Sequence, residues 1–177
     1  MAVHVDRPDF LASDLDDRRA DGRRWELIDG VVHVTPSPTG SHQLAVFNIG
    51  LALRSIRPDG LAVVLAPFDF RPSEATNLQP DVMVVAASAA TAARAIAAPA
   101  LVVEVLSPGT RTDDLGSKRI AYHDHRVPAY WVVDPAARTL TVFTGDYETP
   151  ATHGPGGLVE LTDPFPVTID LDHLLDT

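Results

Sequence analysis

The sequence predicts an α/β fold in which a mixed central sheet is flanked by helices. Two continuous apolar runs, within "PDVMVVAA" and "ALVVEVLS", are typical of strands that are covered on both faces. Segments with helical periodicity lie before and after these runs, and an Asp29-Gly30 pair between two short β-type runs predicts a hairpin near the N-terminus. Strands and helices in this order favour a layered α/β domain.

Length and composition restrict the class of protein. The chain has 177 residues, enough for one domain with its own core, so we expect a single domain over residues 1–177. It contains no cysteine, which excludes disulfides, a thiolate nucleophile and Cys-based zinc sites. No apolar run approaches the roughly 20 residues of a membrane span, and the N-terminal region lacks a secretion signal. We therefore expect a cytoplasmic protein that does not associate with membranes.

The net charge argues against general adhesion to nucleic acid. The chain has 14 basic and 24 acidic residues, a net charge of -10, whereas affinity for nucleic acid comes from neutralising phosphates. Four arginines precede the hairpin, at positions 18, 19, 23 and 24, but acids are interleaved with them. We interpret this cluster as a solvated surface that neutralises itself. Any binding to DNA is expected to be weak unless a homodimer or a partner protein adds contacts.

The N-terminal elements are a hairpin and a long helix. The segment "WELIDGVVHV" predicts two strands around Asp29-Gly30. The segment "SHQLAVFNIGLALRSI" predicts a helix with Ser41 at its cap. The apolar face of this helix is predicted to comprise Leu44, Phe47, Leu51 and Ile56.

The elements that follow alternate between strands and helices. Three extended segments are predicted, "LAVVLAPFDFRP", "PDVMVVAA" and "ALVVEVLS", and the last two should lie centrally in a sheet. The segment "TRTDDLGSKRIAYHDH" predicts one helix, in which Thr110 and Asp113 have the spacing of a capping box. After it, "AYWVVDPAARTLTVFTG" predicts two strands around a turn at Asp134-Pro135, and the tail adds "LVELTD" and "LDHLLDT".

One carboxylate, Glu104, lies in the middle of an apolar strand, where it alternates with Val102 and Leu106 on one face. Burying a carboxylate is costly unless it is paired, hydrogen-bonded, protonated or bound to a cation. Two further acids are candidates for the same place. Asp81 opens the run "VMVV", and Glu26 lies in the first arm of the hairpin. If the three acids converge, they would form an oxygen-rich site suited to magnesium or manganese.

One cation is placed to complete that site. Lys118 lies four residues before Tyr122, near the helix side that packs on the sheet, so its amine would reach back toward Glu104. Structural interpretations remain open: a turn or cap role for Asp81, a solvent-facing position for Glu26, and a solvated helix surface for Lys118. A buried ion pair between Glu104 and Lys118 would satisfy the strand carboxylate without any catalysis.

The segments "RRWELIDG", "LQPDVMVV" and "LVVEVLSPGTRTDDLGSKRIAYHDHRVPAYWVVDP", in this order, resemble the Uma-two-type restriction endonucleases, a bacterial branch of the PD-(D/E)xK nuclease superfamily. The resemblance runs from about Phe10 to the tail. It implies a restriction-endonuclease-like fold, a divalent metal (Mg²⁺ or Mn²⁺) and cleavage of DNA phosphodiester bonds. Asp81 and Glu104 match the two motif acids, and Glu26 matches the acid of the family's first hairpin.

The sequence departs from the superfamily pattern at Leu106, which occupies the position of the motif lysine. Branches of the superfamily take this lysine from a neighbouring helix, and Lys118 in "DLGSK" resembles that arrangement. Lys118 would then orient a water or stabilise charge on the phosphate. The metal ligands that the resemblance implies are Asp81, Glu104, the carbonyl of Val105, and Glu26, the last either directly or through a water.

Other polar and aromatic residues are interpreted as structural. His42 is interpreted as a helix N-terminal or surface histidine, with a hydrogen-bonding role beside the site as the alternative. Tyr130 and Trp131 belong to a strand and are interpreted as core residues.

Two functions compete with a metal-dependent endonuclease. One is a catalytically inactive module of the same fold that acts in interaction or regulation, which Leu106 and the net charge both favour. The other is a metal-dependent hydrolase of a different phosphoester, because a fold does not fix its substrate.

Overall fold

The structure, a computed structural model, describes residues 3–5, 10–16, 23–35 and 37–176. Within these ranges the chain forms a five-stranded, a six-stranded and a two-stranded sheet, with helices packed on the six-stranded one. The six-stranded sheet contains both parallel and antiparallel pairs. The predicted α/β class with a mixed sheet is confirmed.

The described residues form the following elements. The strands are β1 (Val3–Val5), β2 (Arg24–Ile28), β3 (Val31–Thr35), β4 (Leu61–Leu65), β5 (Phe70–Ser73), β6 (Thr76–Leu78), β7 (Val82–Ala86), β8 (Leu101–Val105), β9 (Ala129–Asp134), β10 (Thr139–Thr144), β11 (Ala151–His153), β12 (Leu158–Leu161) and β13 (Val167–Asp170). The helices are α1 (Gly40–Ile56), α2 (Arg111–Leu115), α3 (Ser117–Asp124) and α4 (Leu171–Leu174), with 3₁₀ turns at Ala12–Leu15 and Ala89–Thr91. No helix in the described ranges is long and apolar enough to cross a membrane.

The predicted hairpin is confirmed, and it lies at the centre of the five-stranded sheet. Strands β2 and β3 pair antiparallel, and Asp29 (φ 49°) and Gly30 (φ 83°) both have the positive φ that a two-residue type I′ turn requires. The sheet order is β1-β3-β2-β6-β5, so β2 has neighbours on both edges. Glu26 on β2 lies opposite His33 and is 1% exposed, which excludes the solvent-facing interpretation.

The six-stranded sheet brings two predicted site residues to one place. Its order is β11-β10-β9-β8-β7-β4, with β7 and β8 in the interior as predicted. Strands β7 and β8 pair antiparallel, with Val82 opposite Val103. Asp81 immediately precedes Val82 and Glu104 immediately follows Val103, so both acids lie at the same end of this strand pair.

The two faces of this sheet carry separate parts of the core. One face, with Val103 and Val105, packs against α1 and the C-terminal elements. The other face, with Val102 and Leu106, packs against Tyr122 of α3. Because side chains alternate along a strand, Glu104 lies on this second face, beneath α3.

The first predicted extended segment is divided between the two large sheets. Residues 61–65 form β4 at the edge of the six-stranded sheet, and residues 70–73 form β5 in the five-stranded sheet. The division follows Pro67, because proline has no N–H with which to continue a ladder. Strand β6 was not predicted, because its three residues are too few and too polar to show alternation.

The predicted apolar face of α1 is wrong. Leu44, Phe47 and Leu51 are 50%, 58% and 57% exposed. A different side of the helix faces the sheet, and on it a Cβ on Gly50 would lie 2.9 Å from a methyl group of Leu65. A side chain at position 50 would therefore require Leu65 to move. The buried residues of α1 are Ala45, Val46, Ile49, Gly50 and Leu53.

The predicted cap of α1 is wrong, and that of α2 is right in position only, since Thr110 is the N-cap residue but its side chain makes no capping hydrogen bond. The hydroxyl of Thr39, not of Ser41, accepts a hydrogen bond from the backbone N–H of His42 (3.3 Å) at the start of α1. The hydroxyl of Thr110 lies 3.1 Å from the hydroxyl of Ser107 and does not form the predicted capping box. Thr110 therefore connects the loop before α2 to the helix, because its side chain also hydrogen-bonds Asp114.

The predicted helix at 110–125 is interrupted at Gly116. This residue has φ −111° and ψ −101° and separates α2 from α3. A Cβ at this position would lie 2.8 Å from the carbonyl oxygen of Thr112, so glycine is needed for the close approach. The hydroxyl of Tyr130 donates to the carbonyl of Asp114 (2.8 Å) at the end of α2. The interruption places Lys118 in the first turn of α3.

The corrected face of α1 can be tested by unfolding. Leu53 is 1% exposed and Leu51 is 57% exposed on the same helix. We expect Leu53→Ala to lower the free energy of unfolding by about 2 to 5 kcal/mol, because it leaves a cavity in the core. The matched variant Leu51→Ala should change it by less than about 0.5 kcal/mol, as for a surface substitution. Urea unfolding measures both values, and equal losses would contradict this packing.

Candidate active site

Glu104 on β8 is a buried carboxylate with two donors. It is 1% exposed, and its Oε1 accepts hydrogen bonds from Lys118 Nζ (3.0 Å) and from the hydroxyl of Tyr122 (2.7 Å). Both donors come from α3, which covers this face of the sheet. The charge in the apolar strand is therefore compensated from the helix above it.

Lys118 contacts three carboxylates. Its Nζ lies 3.0 Å from Glu26 Oε2, 3.0 Å from Glu104 Oε1 and 3.3 Å from Asp114 Oδ1, and the side chain is 2% exposed. The solvated interpretation of this lysine is thus excluded. Asp114 was not predicted, although its spacing of four residues from Lys118 on a helical segment was a readable signal. A second signal is that Lys118 is the only lysine in the sequence.

Glu26 joins the five-stranded sheet to this cluster. Its Oε1 accepts a hydrogen bond from the backbone N–H of Gln79 (2.9 Å), while its Oε2 pairs with Lys118. The ammonium of Lys118 therefore links β2 of one sheet to β8 of the other.

Asp81 lies beside the cluster and has its own partners. Its Oδ1 accepts a hydrogen bond from Arg24 Nη2 (2.7 Å), and its Oδ2 accepts one from the backbone N–H of Val105 (2.8 Å). The simple turn or cap role is therefore excluded, because Asp81 bridges the end of β7 to β8. Arg24, interpreted above as part of a solvated cluster, has a side chain that is only 16% exposed. Arg18 and Arg19 lie outside the described residues.

His42 lies in the first turn of α1 and belongs to the site, so the alternative of a hydrogen-bonding role holds and the surface interpretation is wrong. Its side chain is 10% exposed, and its Nε2 lies 3.2 Å from Asp81 Oδ2 and 3.0 Å from the carbonyl oxygen of Val105. Little in the sequence indicates this, because a histidine in the first turn of a helix is commonly exposed. Tyr130 and Trp131 are buried in the core, as predicted.

The cluster around Lys118 contains more negative than positive charge. Burial alone would lower the pKa of Lys118, but the attraction of Glu104, Glu26 and Asp114 outweighs it and raises this pKa well above its ordinary value. Lys118 therefore stays charged. Burial raises the pKa of Glu104, and repulsion from the neighbouring carboxylates adds to this, although Lys118 opposes it. The pKa of Asp114 is raised for the same reasons.

The pKa values of Asp81 and His42 are shifted in the directions expected for a charge-assisted pair. Burial alone would raise the pKa of Asp81, but the hydrogen bond from His42 and the charge of Arg24 outweigh it, so this pKa falls below its ordinary range. Burial alone would lower the pKa of His42, but its hydrogen bond to Asp81 and the charge of Asp81 raise it. Asp81 is thus an anion at neutral pH.

The residues fit a divalent cation by the chemistry of their donors. Four buried carboxylates, of Glu26, Asp81, Glu104 and Asp114, face two permanent cations, Arg24 and Lys118, so negative charge is left over. Asp114 Oδ1 is buried and, apart from its ion pair with Lys118 at 3.3 Å, accepts no hydrogen bond from a described residue. Such hard oxygen donors suit Mg²⁺ and Mn²⁺. In the described part of the chain, no three acidic or histidine side chains already converge as a metal site.

A cavity opens beside this site. Its volume is about 230 Å³, and it is lined by Arg24 and His42, the two side chains that contact Asp81. The rest of its wall comes from Thr35, from residues 37–39 and from residues 107–110. The cavity therefore borders the two side chains that hold Asp81, whereas Asp81 and Lys118 are themselves buried.

Comparisons with known proteins agree with this architecture. The Uma2 family model, described as "Putative restriction endonuclease", matches residues 7–173. Among solved structures, the chain is similar to a protein from Anabaena variabilis described as "a putative nuclease belonging to DUF820". The two share 20% identity and superpose with a TM-score of 0.71 over 85% of this chain and 89% of the other. This likeness shows a shared fold. No curated protein matches the chain.

Removing the single lysine should destabilise the protein in a pH-dependent way. We expect Lys118→Met to lower the free energy of unfolding at pH 8 by about 3 to 5 kcal/mol, because buried carboxylates lose their counter-charge. The loss should shrink toward pH 5.5. Lys118 opposes the rise in the pKa values of Glu104 and Asp114 that burial causes, so its removal raises both further in the folded state. As pH falls, the folded variant takes up protons before the folded wild type does and regains part of the lost stability.

The matched control for this variant is Arg54→Met, which removes an exposed cation of α1. It should change the free energy of unfolding by less than about 0.5 kcal/mol at either pH. Urea unfolding of both variants at pH 8 and pH 5.5 gives the comparison. A Lys118→Met loss that is independent of pH would contradict the proposed charge balance.

The protonation of Lys118 can be observed directly, because it is the only lysine in the chain. With ¹³Cε-labelled lysine we expect one resonance that keeps its charged chemical shift above pH 10.4, the approximate ordinary pKa of lysine. The Glu104→Gln variant should titrate at lower pH, since one attracting carboxylate is gone. The raised pKa contributes stability below the ordinary value, and this contribution disappears as pH rises through the folded-state pKa. Titration of the wild type below pH 10.4 would refute the assignment.

Proposed function

Because the chain belongs to the Uma2 family, described as "Putative restriction endonuclease", we propose that it is a divalent-metal-dependent endonuclease that hydrolyses DNA phosphodiester bonds. The observation that carries the proposal is the contact of one buried ammonium with acids from separate elements. Lys118 Nζ lies 3.0 Å from both Glu26 and Glu104, and Asp81 hydrogen-bonds the residue that follows Glu104. One acid would already balance the charge of the ammonium, so the additional acids favour the binding of a further cation.

The metal would be held by oxygen donors. Asp81, Glu104 and the carbonyl of Val105 are the proposed ligands, with Glu26 as a further ligand or as the acceptor of a bound water. When bound, Mg²⁺ or Mn²⁺ supplies charge to polarise the scissile phosphate and lowers the pKa of a water. The surplus of buried carboxylates over cations favours such an ion.

Lys118 would supply the motif lysine, because Leu106 occupies the position where the superfamily pattern has it. Leu106 is 9% exposed and packs in the core face beneath α3, so it contributes packing only. The ammonium of Lys118 is held at the same face by α3. There it would orient the attacking water or stabilise the charge that develops on the phosphate, an interaction that is strong in a site shielded from water.

The cavity beside Asp81 is the proposed entry for the phosphate. Arg24 lines this cavity and donates to Asp81 through Nη2. A guanidinium suits a phosphate oxygen because its donors form a planar fork. Arg24 would therefore position the backbone of the substrate next to the acids, while His42 contacts Asp81 from the same cavity.

The acidic charge of the chain limits its affinity for DNA. A net charge of -10 opposes association with a polyanion, so binding should weaken further as salt screens the few local cations. Sequence recognition by one copy is expected to be weak. A homodimer or a partner protein remains the proposed source of further contacts.

The proposal predicts cleavage that depends on both metal and acids. With Mg²⁺ or Mn²⁺, the purified protein should nick or cut plasmid or single-stranded DNA, and EDTA should stop the reaction. Asp81→Asn and Glu104→Gln should each reduce the rate at least about 100-fold, because losing a metal ligand costs several kcal/mol of transition-state stabilisation. Gel assays of supercoiled and nicked DNA measure the rates.

The matched control is Glu148→Gln, which removes an exposed acid far from these elements in the sequence and should leave the rate unchanged. Circular dichroism checks that each variant is folded. Cleavage that survives both site variants would identify a contaminant. Absence of cleavage with every metal would favour the inactive module, and cleavage of small phosphodiesters but not DNA would favour the other hydrolase.

A further inference from the structure

His42 directs its ring at two of the proposed metal ligands. Its Nε2 lies 3.0 Å from the carbonyl oxygen of Val105 and 3.2 Å from Asp81 Oδ2. The other ring nitrogen, Nδ1, is buried and makes no hydrogen bond with any described residue. The ring therefore makes its polar contacts through the one atom that faces these two oxygens.

These contacts are hydrogen bonds in which Nε2–H donates to both oxygens, so a bound cation would take the place of that proton. Their spacing is also that of neighbouring ligands around one ion. Adjacent ligands of an octahedral ion, each about 2.1 Å from the metal, lie about 3.0 Å from one another. The two measured distances from Nε2, 3.0 and 3.2 Å, are close to this value. The backbone supports the arrangement, since the N–H of Val105 holds Asp81 Oδ2 at 2.8 Å and Thr39 caps the helix turn that carries His42.

We propose that His42 Nε2 is a direct ligand of the divalent metal, together with Asp81 and the carbonyl of Val105. This inference rests on the proposed function, because it assigns a further ligand to the same metal. The proposed metal site would then contain one nitrogen donor among its oxygen donors. His42 is in addition the ligand that lies on the wall of the cavity, so it is the donor nearest to the solvent side of the site.

A nitrogen donor changes the preferred metal. Imidazole suits transition metals, whereas Mg²⁺ is best matched by oxygen ligands and water. The site should accordingly bind Mn²⁺ more tightly than Mg²⁺. Without the imidazole this preference should diminish, because carboxylate and carbonyl donors suit both ions.

The test uses Mn²⁺ alone as the probe and does not require activity. Electron spin-echo envelope modulation of the Mn²⁺-loaded full chain should show coupling to ¹⁴N, replaced by ¹⁵N coupling when the histidines are ¹⁵N-labelled. In His42→Gln this coupling should disappear, and the Kd for Mn²⁺ should rise at least about tenfold. Less Mg²⁺ should then be needed to displace Mn²⁺ than in the wild type.

The matched control is His33→Gln, which alters another buried histidine, located opposite Glu26 in the hairpin. It should retain the histidine coupling and the affinity for Mn²⁺. If His42→Gln does not fold, the ¹⁵N-labelled wild type and His33→Gln still decide the question.

The contradicting outcomes are distinct. Mn²⁺ that binds without histidine coupling, or coupling that is lost in His33→Gln, would overturn the assignment of His42 while leaving the nuclease proposal intact. Unchanged or tighter binding of Mn²⁺ by His42→Gln would show that the ring competes with the ion instead of holding it. If Mn²⁺ does not bind the wild type, both proposals fail.

Discussion

The attraction between one buried ammonium and several buried carboxylates is the interaction on which the site depends. Removing charges from water is costly, and the cost is recovered only where opposite charges meet at short distance with good geometry. Lys118 meets this condition with Glu26, Glu104 and Asp114, each within 3.3 Å. These partners come from β2, β8 and α2. The ion cluster therefore fixes the relative positions of the two large sheets and the helix pair at one point.

The buried charges around Lys118 link the stability of the fold to the function of the site. A core made only of apolar side chains would fill the same space without the cost of desolvation, so the retained charges indicate a use for them. A surplus of carboxylates raises the pKa of Glu104, while Asp81 keeps its charge through Arg24 and His42. Two acids at the end of the same strand pair thus have opposite electrostatic environments. Perturbed pKa values of this kind are characteristic of functional sites.

Sequence reasoning was most successful where periodicity and burial agree. The interior positions of β7 and β8 followed from their apolar runs, and the contact of Lys118 with Glu104 followed from helix spacing. Failures came where tertiary packing decides. On α1 the buried Val46, Ile49 and Leu53 have the same i, i+3, i+7 spacing as the exposed Leu44, Phe47 and Leu51, so periodicity alone could not choose the packed face. Arg24 was missed, and His42 was given only as an alternative, because each joins Asp81 across a large separation in the chain. The metal ligands themselves stay a prediction.

The interruption of the helix at Gly116 limits the insertions and deletions that this protein can tolerate during evolution. An amine carried on the same strand as its acid keeps its place whatever happens to the surrounding loops. Here the amine follows a loop, a short helix and a single glycine, so its position depends on the number of residues between Val105 and Lys118. Insertions or deletions in that stretch would separate the amine from its acids while leaving the sheet unchanged. Conservation of the length of this stretch, more than of its residues, should therefore distinguish homologues that keep the site from those that have lost it.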